Sequence, residues 1–315
     1  MARAKIFFTS DIHGSEKVFM KFIKASKFYE ADVLILGGDV TGKVVIPIVE
    51  QSDGSYSARF IGQDLTIRSK EDLDELSKKI RYTGYYPLLT NPAEAEELSI
   101  NKGKLDAVFL DLMIERVSSW VSIAEDRLKG TDVRCYIMPG NDDRPEIGEV
   151  LDHSSRLVIN PEGKVVQVCD HHEMISLGYS NITPWNAPRD IPEAELERKI
   201  EQMTASVTDM GNCIFNLHCP PFDSGLDSAP KLDKDHKPMM DTQFIPVGSE
   251  AVRKSIEKHQ PLLGLHGHIH ESRGIRKIGR TICINPGSEY TEGYLRGALI
   301  VLDDKKVKTF MLTSG

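Results

Sequence analysis

Seven residues of this 315-residue chain have the types and spacing expected of ligands for hard or borderline divalent metals: Asp11, His13, Asp39, Asn141, His218, His268 and His270. Carboxylate, imidazole and amide oxygen are the groups that Mn, Fe and Zn accept. Each follows a short apolar run rich in β-branched residues. Residues 6–9 lead into Ser10-Asp11-Ile12-His13-Gly14, 33–36 into Gly37-Gly38-Asp39, and 133–138 into Pro139-Gly140-Asn141-Asp142-Asp143. Residues 213–217 lead into His218-Cys219-Pro220-Pro221, and 262–265 into His266-Gly267-His268-Ile269-His270. Each run has the length of a buried strand ending in a tight turn. Residues two apart in an extended segment point the same way, so Asp-x-His and His-x-His each aim a pair of ligands into one cavity.

Taken singly, most of these pieces are ordinary. Asp11 could cap a helix beginning near Ser15, Gly37-Gly38-Asp39 is a plain turn, Asn141-Asp142-Asp143 fits a solvated loop, and His218 fits a structural histidine. Three histidines within residues 266–270 have little structural use, and five such pieces in order outweigh the separate explanations. His153, His171, His172, His236 and His259 lie outside the motifs and read as surface or structural residues.

The elements between the motifs must bring the strand ends to one edge. Helical stretches at 15–28, 105–128, 192–207 and 249–258 alternate with the motif strands, which implies a layered α/β fold. The later runs, at 156–160, 164–168, 174–177, 281–284, 298–302 and 307–312, have few helices between them and predict a second sheet with antiparallel pairing. The expected architecture is a four-layer α/β/β/α sandwich, two mixed sheets flanked by helices, forming one domain over 1–315. Residues 43–99 interrupt the rhythm as an insertion. Runs at 44–49 and 56–60 flank Asp53-Gly54, a hairpin signal, and Ser69 with Asp72 opens a helix through residue 80. This segment is a surface decoration or a lid over the site. Trp185 and the loop 184–188 could line a pocket or simply pack.

Composition sets limits without naming a function. Apolar residues make up 40% of the chain, enough for a sizeable core, and no run approaches the roughly 20 apolar residues of a membrane helix. The N-terminal apolar run ends at Asp11 without a cleavage-site pattern, so it reads as a strand and not a signal peptide. Five widely spaced cysteines without a CxxC fit reduced thiols in a cytoplasm. The net charge of −8 disfavours general binding to nucleic acid.

The order of these motifs resembles the calcineurin-like metallophosphoesterases, whose pattern runs D-x-H, G-D, G-N, an isolated His, and G-H-x-H. Here Asp11/His13, Gly38/Asp39, Gly140/Asn141, His218 and Gly267/His268/His270 meet it, from residue 6 to about 290 with the insertion skipped. His218-Cys219-Pro220-Pro221, Asn285-Pro286-Gly287-Ser288 and, more faintly, residues 178–184 resemble compact prokaryotic-type members. The resemblance implies two divalent ions, manganese foremost, with Fe, Zn, Co or Ni as alternatives. Asp11, His13 and His270 would hold one ion, Asn141, His218 and His268 the other, and Asp39 would bridge them. It further implies hydrolysis of a small phosphomonoester or phosphodiester, with attack by a metal-bridging hydroxide. Where many members carry a histidine after G-N, this chain has Asp142, whose carboxyl is a poor acid at neutral pH unless its environment raises its pKa. Asp142, raised by burial, or another group such as His266 is then the candidate catalytic acid, unless the leaving groups need no such help. A nuclease, a catalytically silent metal-binding scaffold of the same fold and a mononuclear iron enzyme are the competing readings.

Overall fold

Period-two burial along the first strand sets the layers. In the computed structural model, which describes residues 4–153, 157–233, 237, 239 and 243–315, β1 (Ala4–Thr9) turns Ile6 and Phe8 to one side and Phe7 to the other. The neighbouring β2 (Val33–Gly37) is buried throughout, Val33 and Ile35 joining Ile6 while Leu34 and Leu36 join Phe7. Continuous burial of this kind belongs to a central parallel strand covered on both faces.

The crossover between them is α1 (Glu16–Phe28). After β2 the chain forms β3 (Val45–Glu50), β4 (Tyr56–Phe60), β5 (Gln63–Ile67), α2 (Lys70–Tyr82), β6 (Tyr86–Thr90), α3 (Pro92–Ile100) and α4 (Lys102–Leu128). It returns to the first sheet as β7 (Arg134–Met138), followed by α5 (Pro145–Asp152) and β8 (Val158–Ile159). The second sheet begins with β9 (Val165–Cys169) and β10 (His172–Leu177). Short strands β11 (Ser180–Asn181) and β12 (Asp190–Ile191) precede α6 (Glu193–Thr204) and β13 (Ile214–Leu217). A small hairpin, β14 (Ser228–Pro230) with β15 (Phe244–Pro246), and α7 (Glu250–His259) come before β16 (Leu263–Leu265), β17 (Gly274–Ile278) and β18 (Thr281–Asn285). Finally β19 (Arg296–Asp303) and β20 (Lys306–Ser314) rejoin the first sheet.

The strand orders are β20-β19-β1-β2-β7-β8 and β17-β18-β16-β13-β10-β9. Ile6, Phe8 and Ile35 of the first sheet meet Met174, Ile214 and Leu265 of the second. On the outer face of the first sheet, Phe19, Phe22, Trp120 and Ile147 of α1, α4 and α5 pack on Phe7 and Leu34. On the outer face of the second, Leu196, Ile200, Val252 and Ile256 of α6 and α7 pack on Ile175 and Phe215. The fold is therefore the four-layer α/β/β/α sandwich with two mixed sheets.

The second sheet is less antiparallel than the sequence suggests, and three of the six runs expected in it, those of β8, β19 and β20, belong to the first sheet. β10, β13, β16 and β18 pair in parallel, while β19 and β20 lie in the first sheet, β19 antiparallel to β1. β8 pairs in parallel with β7, and Arg156, the first residue of that run, lies outside the described residues. Alternation specifies which face of a strand is buried and leaves the partner open. The hairpin around Asp53-Gly54 forms as β3 and β4, and with β5 and β6 makes a separate sheet in the order β5-β4-β3-β6. Its core of Ile48, Phe60, Leu76 and Ile80 packs α2 against it. Ser69 caps α2 by accepting the Asp72 N–H. Ser15 does not cap α1; its hydroxyl donates to Tyr82 O, 2.6 Å away, tying the first motif to the end of α2. No helix among the described residues is long and apolar enough to cross a membrane.

Candidate metal centre

Parallel pairing of β1, β2 and β7, and of β13 and β16, turns the ends of all five motif strands toward one edge of the two sheets. Crevices beyond the carboxyl ends of parallel strands are where layered α/β folds gather ligands. His13 Nε2 lies 3.1 Å from His270 Nε2 and 3.6 Å from Asp39 Oδ2. Asp11 Oδ1 lies 3.5 Å from His270 Nε2 and 3.8 Å from His218 Nε2. The other oxygen of the shared carboxylate, Asp39 Oδ1, is 3.4 Å from His218 Nε2. Ligand atoms of Asp11, His13 and His270 all fall within 4.8 Å of one another, as do those of Asp39, His218 and His268. A third group joins His13, Asp39 and Asp142, so Asp39 reaches both sides of the cluster.

The backbone is held in sparsely populated conformations to achieve this. Asp11, His13, Asp39 and His268 have φ of 58°, 38°, 50° and 67°. Left-handed backbone at a residue with a side chain costs on the order of 1–3 kcal/mol and persists at functional sites. Four such residues in one cluster are hard to explain by folding alone.

The electrostatics call for added positive charge between the carboxylates. Burial disfavours ionised Asp11, but its hydrogen bond with His270 and the charges of His218 and His270 outweigh burial and hold its pKa near about 2. Burial likewise opposes ionised Asp39, and the nearby His218 charge carries its carboxyl well below the usual range. Burial alone would lower His218, yet Asp39 and Asp11 push it up to about 10. Burial instead dominates at His13 and His268, lowered to about 3 and about 4, which leaves them as neutral imidazoles suited to metals.

The unpartnered atoms fit metals as well. Asn141 Oδ1 and His218 Nε2 are buried without a hydrogen bond. Buried polar atoms are nearly always paired, so orphans at one spot need a ligand. Gly37 O accepts from His218 Nδ1 at 2.8 Å, which turns Nε2 to the cluster. Asn141 Nδ2 donates to Asp190 Oδ1 at 2.9 Å, which fixes the amide and leaves Oδ1 without a partner. The donor set and its geometry therefore fit divalent ions.

Several residues support the ligands in roles the sequence did not assign, and one of them, Asp190, carried no signal at all. Asp190 Oδ2 also accepts the Thr183 and Ala187 N–H groups, so one carboxylate ties Asn141 to the loop that carries Trp185. Asp190→Ala is expected to lower metal affinity by roughly 10–100-fold, the usual effect of removing an outer-shell partner. Manganese titration by calorimetry checks this, and wild-type affinity would contradict the orienting role. Asp143 is fully buried and accepts the N–H groups of Val40, Thr41 and Gly140, strapping the Asp39 and Asn141 loops together. Asn285 donates to the carbonyls of Gly267 and Ile269, and Ser288 to Asp11 O at 2.6 Å, so the Asn285-Pro286-Gly287-Ser288 motif fixes the last turn against the first.

Asp142 and His266 part company. Asp142 stands at the cluster, its N–H donating to Asp39 Oδ1 at 3.1 Å. Burial, and then the Asp39 charge, raise its carboxyl to about 6 against the opposing Lys43 ammonium. His266 is fully buried, its Nδ1 directed at Leu217 O, 2.8 Å away, and it joins none of the converging groups among the described residues. Its side chain runs back along β16 toward Gly264, and burial lowers it to about 4. Trp185 is 64% exposed on its loop. Of the remaining histidines, His153 contacts Glu149 O, His171 Asp304, His172 Cys169 and His259 Glu201, while His236 lies outside the described residues.

No family model matches the chain. The uncharacterized protein MJ1162 of Methanocaldococcus jannaschii is 34% identical over 170 residues, 53% of this chain and 70% of its own. One solved structure aligns over 99% of both chains with a TM-score of 0.56 at 16% identity. The crystal structure of TT1561 of Thermus thermophilus aligns over 100% of this chain and 99% of its own, with a TM-score of 0.50 at 14% identity. The two structures share the fold. The chain belongs to one family with the archaeal protein MJ1162, and its ordered ligand motifs lie at the edge of the two-sheet sandwich.

Proposed function

We propose that this protein is a metal-dependent hydrolase of phosphoester bonds acting on a small phosphomonoester or phosphodiester. The observation that carries the reading is Asp39, whose two oxygens face the two groups of ligand atoms, with His218 on one side and His13 on the other. In this reading Asp11, His13 and His270 hold one ion, Asn141, His218 and His268 the other, and Asp39 lies between. Carboxylate, imidazole and amide ligands suit manganese, with Fe, Zn, Co or Ni as alternatives. When bound, two such ions supply Lewis acidity and a water of lowered pKa for in-line displacement at phosphorus.

The chain's own residues do the rest. Asp11 and Asp39 return two negative charges to a site that stays cationic and attracts phosphate. Asp190 orients Asn141, and Asp143 fixes the spacing of the Asp39 and Asn141 loops. Asp142 lies where the leaving group departs and takes the place of the usual histidine. The net charge of −8 favours a small substrate over nucleic acid. We further read residues 1–315 as one domain with an insertion at 43–99, in a cytoplasm that keeps the cysteines reduced. Asp142 is also the observation behind a second reading, a metal-holding protein without turnover.

Metal-stripped protein assayed with p-nitrophenyl phosphate and bis(p-nitrophenyl) phosphate, with and without Mn²⁺, separates the two. Turnover only with metal is expected, and the ratio of rates distinguishes monoesterase from diesterase. Two bound metals without turnover of either ester would favour the silent protein.

A further inference from the structure

Resting on that reading of the site, we propose that Lys43 is a phosphate-contacting residue: the chain replaces the missing histidine with a cation from another loop, and Asp142 positions it. Lys43 Nζ contacts Asp142 Oδ2, and Asp142 joins Asp39 and His13 in one converging group. The ammonium thus stands at the rim of the cluster beside the Asp142 carboxylate, and its charge is felt at His13, His270 and Tyr290 while Asp39 acts on it in turn.

Two physical points argue against a purely structural pair. The Lys43 side chain is 52% exposed and that of Asp142 25%, and an ion pair so open to water contributes little to stability. Asp142 alone would place a negative charge beside an incoming phosphoryl group and repel it. Paired with Lys43, it presents neutral charge in sum and a cationic hydrogen-bond donor toward the substrate.

The base of the 43–99 segment holds Lys43 at that spot. Gly42 N–H donates to the Tyr86 hydroxyl at 3.0 Å, and a Cβ on Gly42 would lie 1.9 Å from Gly84 O. Arg116 donates to Gly14 O at 2.7 Å and Tyr85 O at 3.1 Å, tying the strand β6 side of the segment to the His13 turn. Close packing of backbone on backbone leaves the start of the lysine stem little freedom, so the segment delivers its first side chain to the site.

The test compares wild type, Lys43→Ala, Lys43→Arg and Lys43→Ala/Asp142→Ala, each loaded with Mn²⁺. Inorganic phosphate binding by calorimetry is expected to weaken roughly tenfold or more in Lys43→Ala, the loss of a charged donor to an anion. Lys43→Arg should retain most of the affinity, and the double variant should bind phosphate better than Lys43→Ala because the uncompensated carboxylate is gone. Turnover of phenyl phosphate should fall on the order of 10²-fold in Lys43→Ala and that of p-nitrophenyl phosphate less, since the better leaving group needs less stabilisation. Unchanged phosphate affinity in Lys43→Ala would overturn the proposal even if wild type is active. If wild type turns over neither ester yet Lys43→Ala loses phosphate affinity, the hydrolase reading fails and the Lys43 contact stands.

Discussion

Asp39→Asn is expected to lower metal-dependent ester hydrolysis by at least on the order of 10³-fold, about 4 kcal/mol of transition-state stabilisation. The substitution is nearly isosteric and leaves one oxygen, so a fold-based loss is small. What disappears is one negative charge and one ligand oxygen at the point where both groups of ligands meet. Oδ1 also accepts the Asp142 N–H, and Oδ2 faces His13. An amide nitrogen turned to either side presents a donor to a cation, so one ion loses its ligand whichever way the side chain flips. Metal content per chain, measured alongside rates, separates a lost ion from a misplaced one. Rates and metal content both like wild type would sink the shared-carboxylate assignment.

Gly140→Ala is the second large effect, and it arises from space alone. A Cβ at this position would lie 2.1 Å from Asp39 Oδ1 and 2.2 Å from Asp39 N. Neither atom can yield, because the Asp39 backbone is held by the Asp143 strap at Val40 and Thr41. The turn after β7 must move outward, weakening the 2.6 Å hydrogen bond from Gly140 N–H to Asp143 and carrying Asn141 away from Asp39. Overpacking of this kind costs about 1–3 kcal/mol of stability. The larger effect falls on the metals, because the two turns supply ligands to both sides. Wild type is expected to melt at a higher temperature when Mn²⁺ is added, since a ligand that binds only the folded state stabilises it. Gly140→Ala should melt lower and lose most of that increment. An undiminished Mn²⁺ increment would show that the close approach of the two turns is not needed to hold metal.

Much of the site was legible because its chemistry is local in sequence. Asp11 with His13 and His268 with His270 each sit on one strand end, where residues two apart share a direction, and a short apolar run announces each strand. The residue types pointed to a divalent metal as the candidate ligand before any distance was known. The layers were legible for the same reason, since β1 and β2 declare buried faces through Ile6, Phe7, Phe8 and Leu34.

Tertiary structure decided what depends on partners far away in the chain. β19 pairs with β1 across nearly the whole sequence, and alternation in residues 298–302 does not say which strand completes its hydrogen bonds. Asp190 lies 49 positions from Asn141, and a lone aspartate at a turn carries no mark of the amide it orients. Lys43 reads as an ordinary surface cation until Gly42 is seen packed on Gly84 and Asp142 beside it. His266, the most conspicuous extra histidine of its motif, is excluded from the cluster by the strand's own geometry, which sends its side chain back toward Gly264. Residue type and short-range period fix what a position can do; which groups face each other is set by the packing of strands and turns that the sequence keeps far apart.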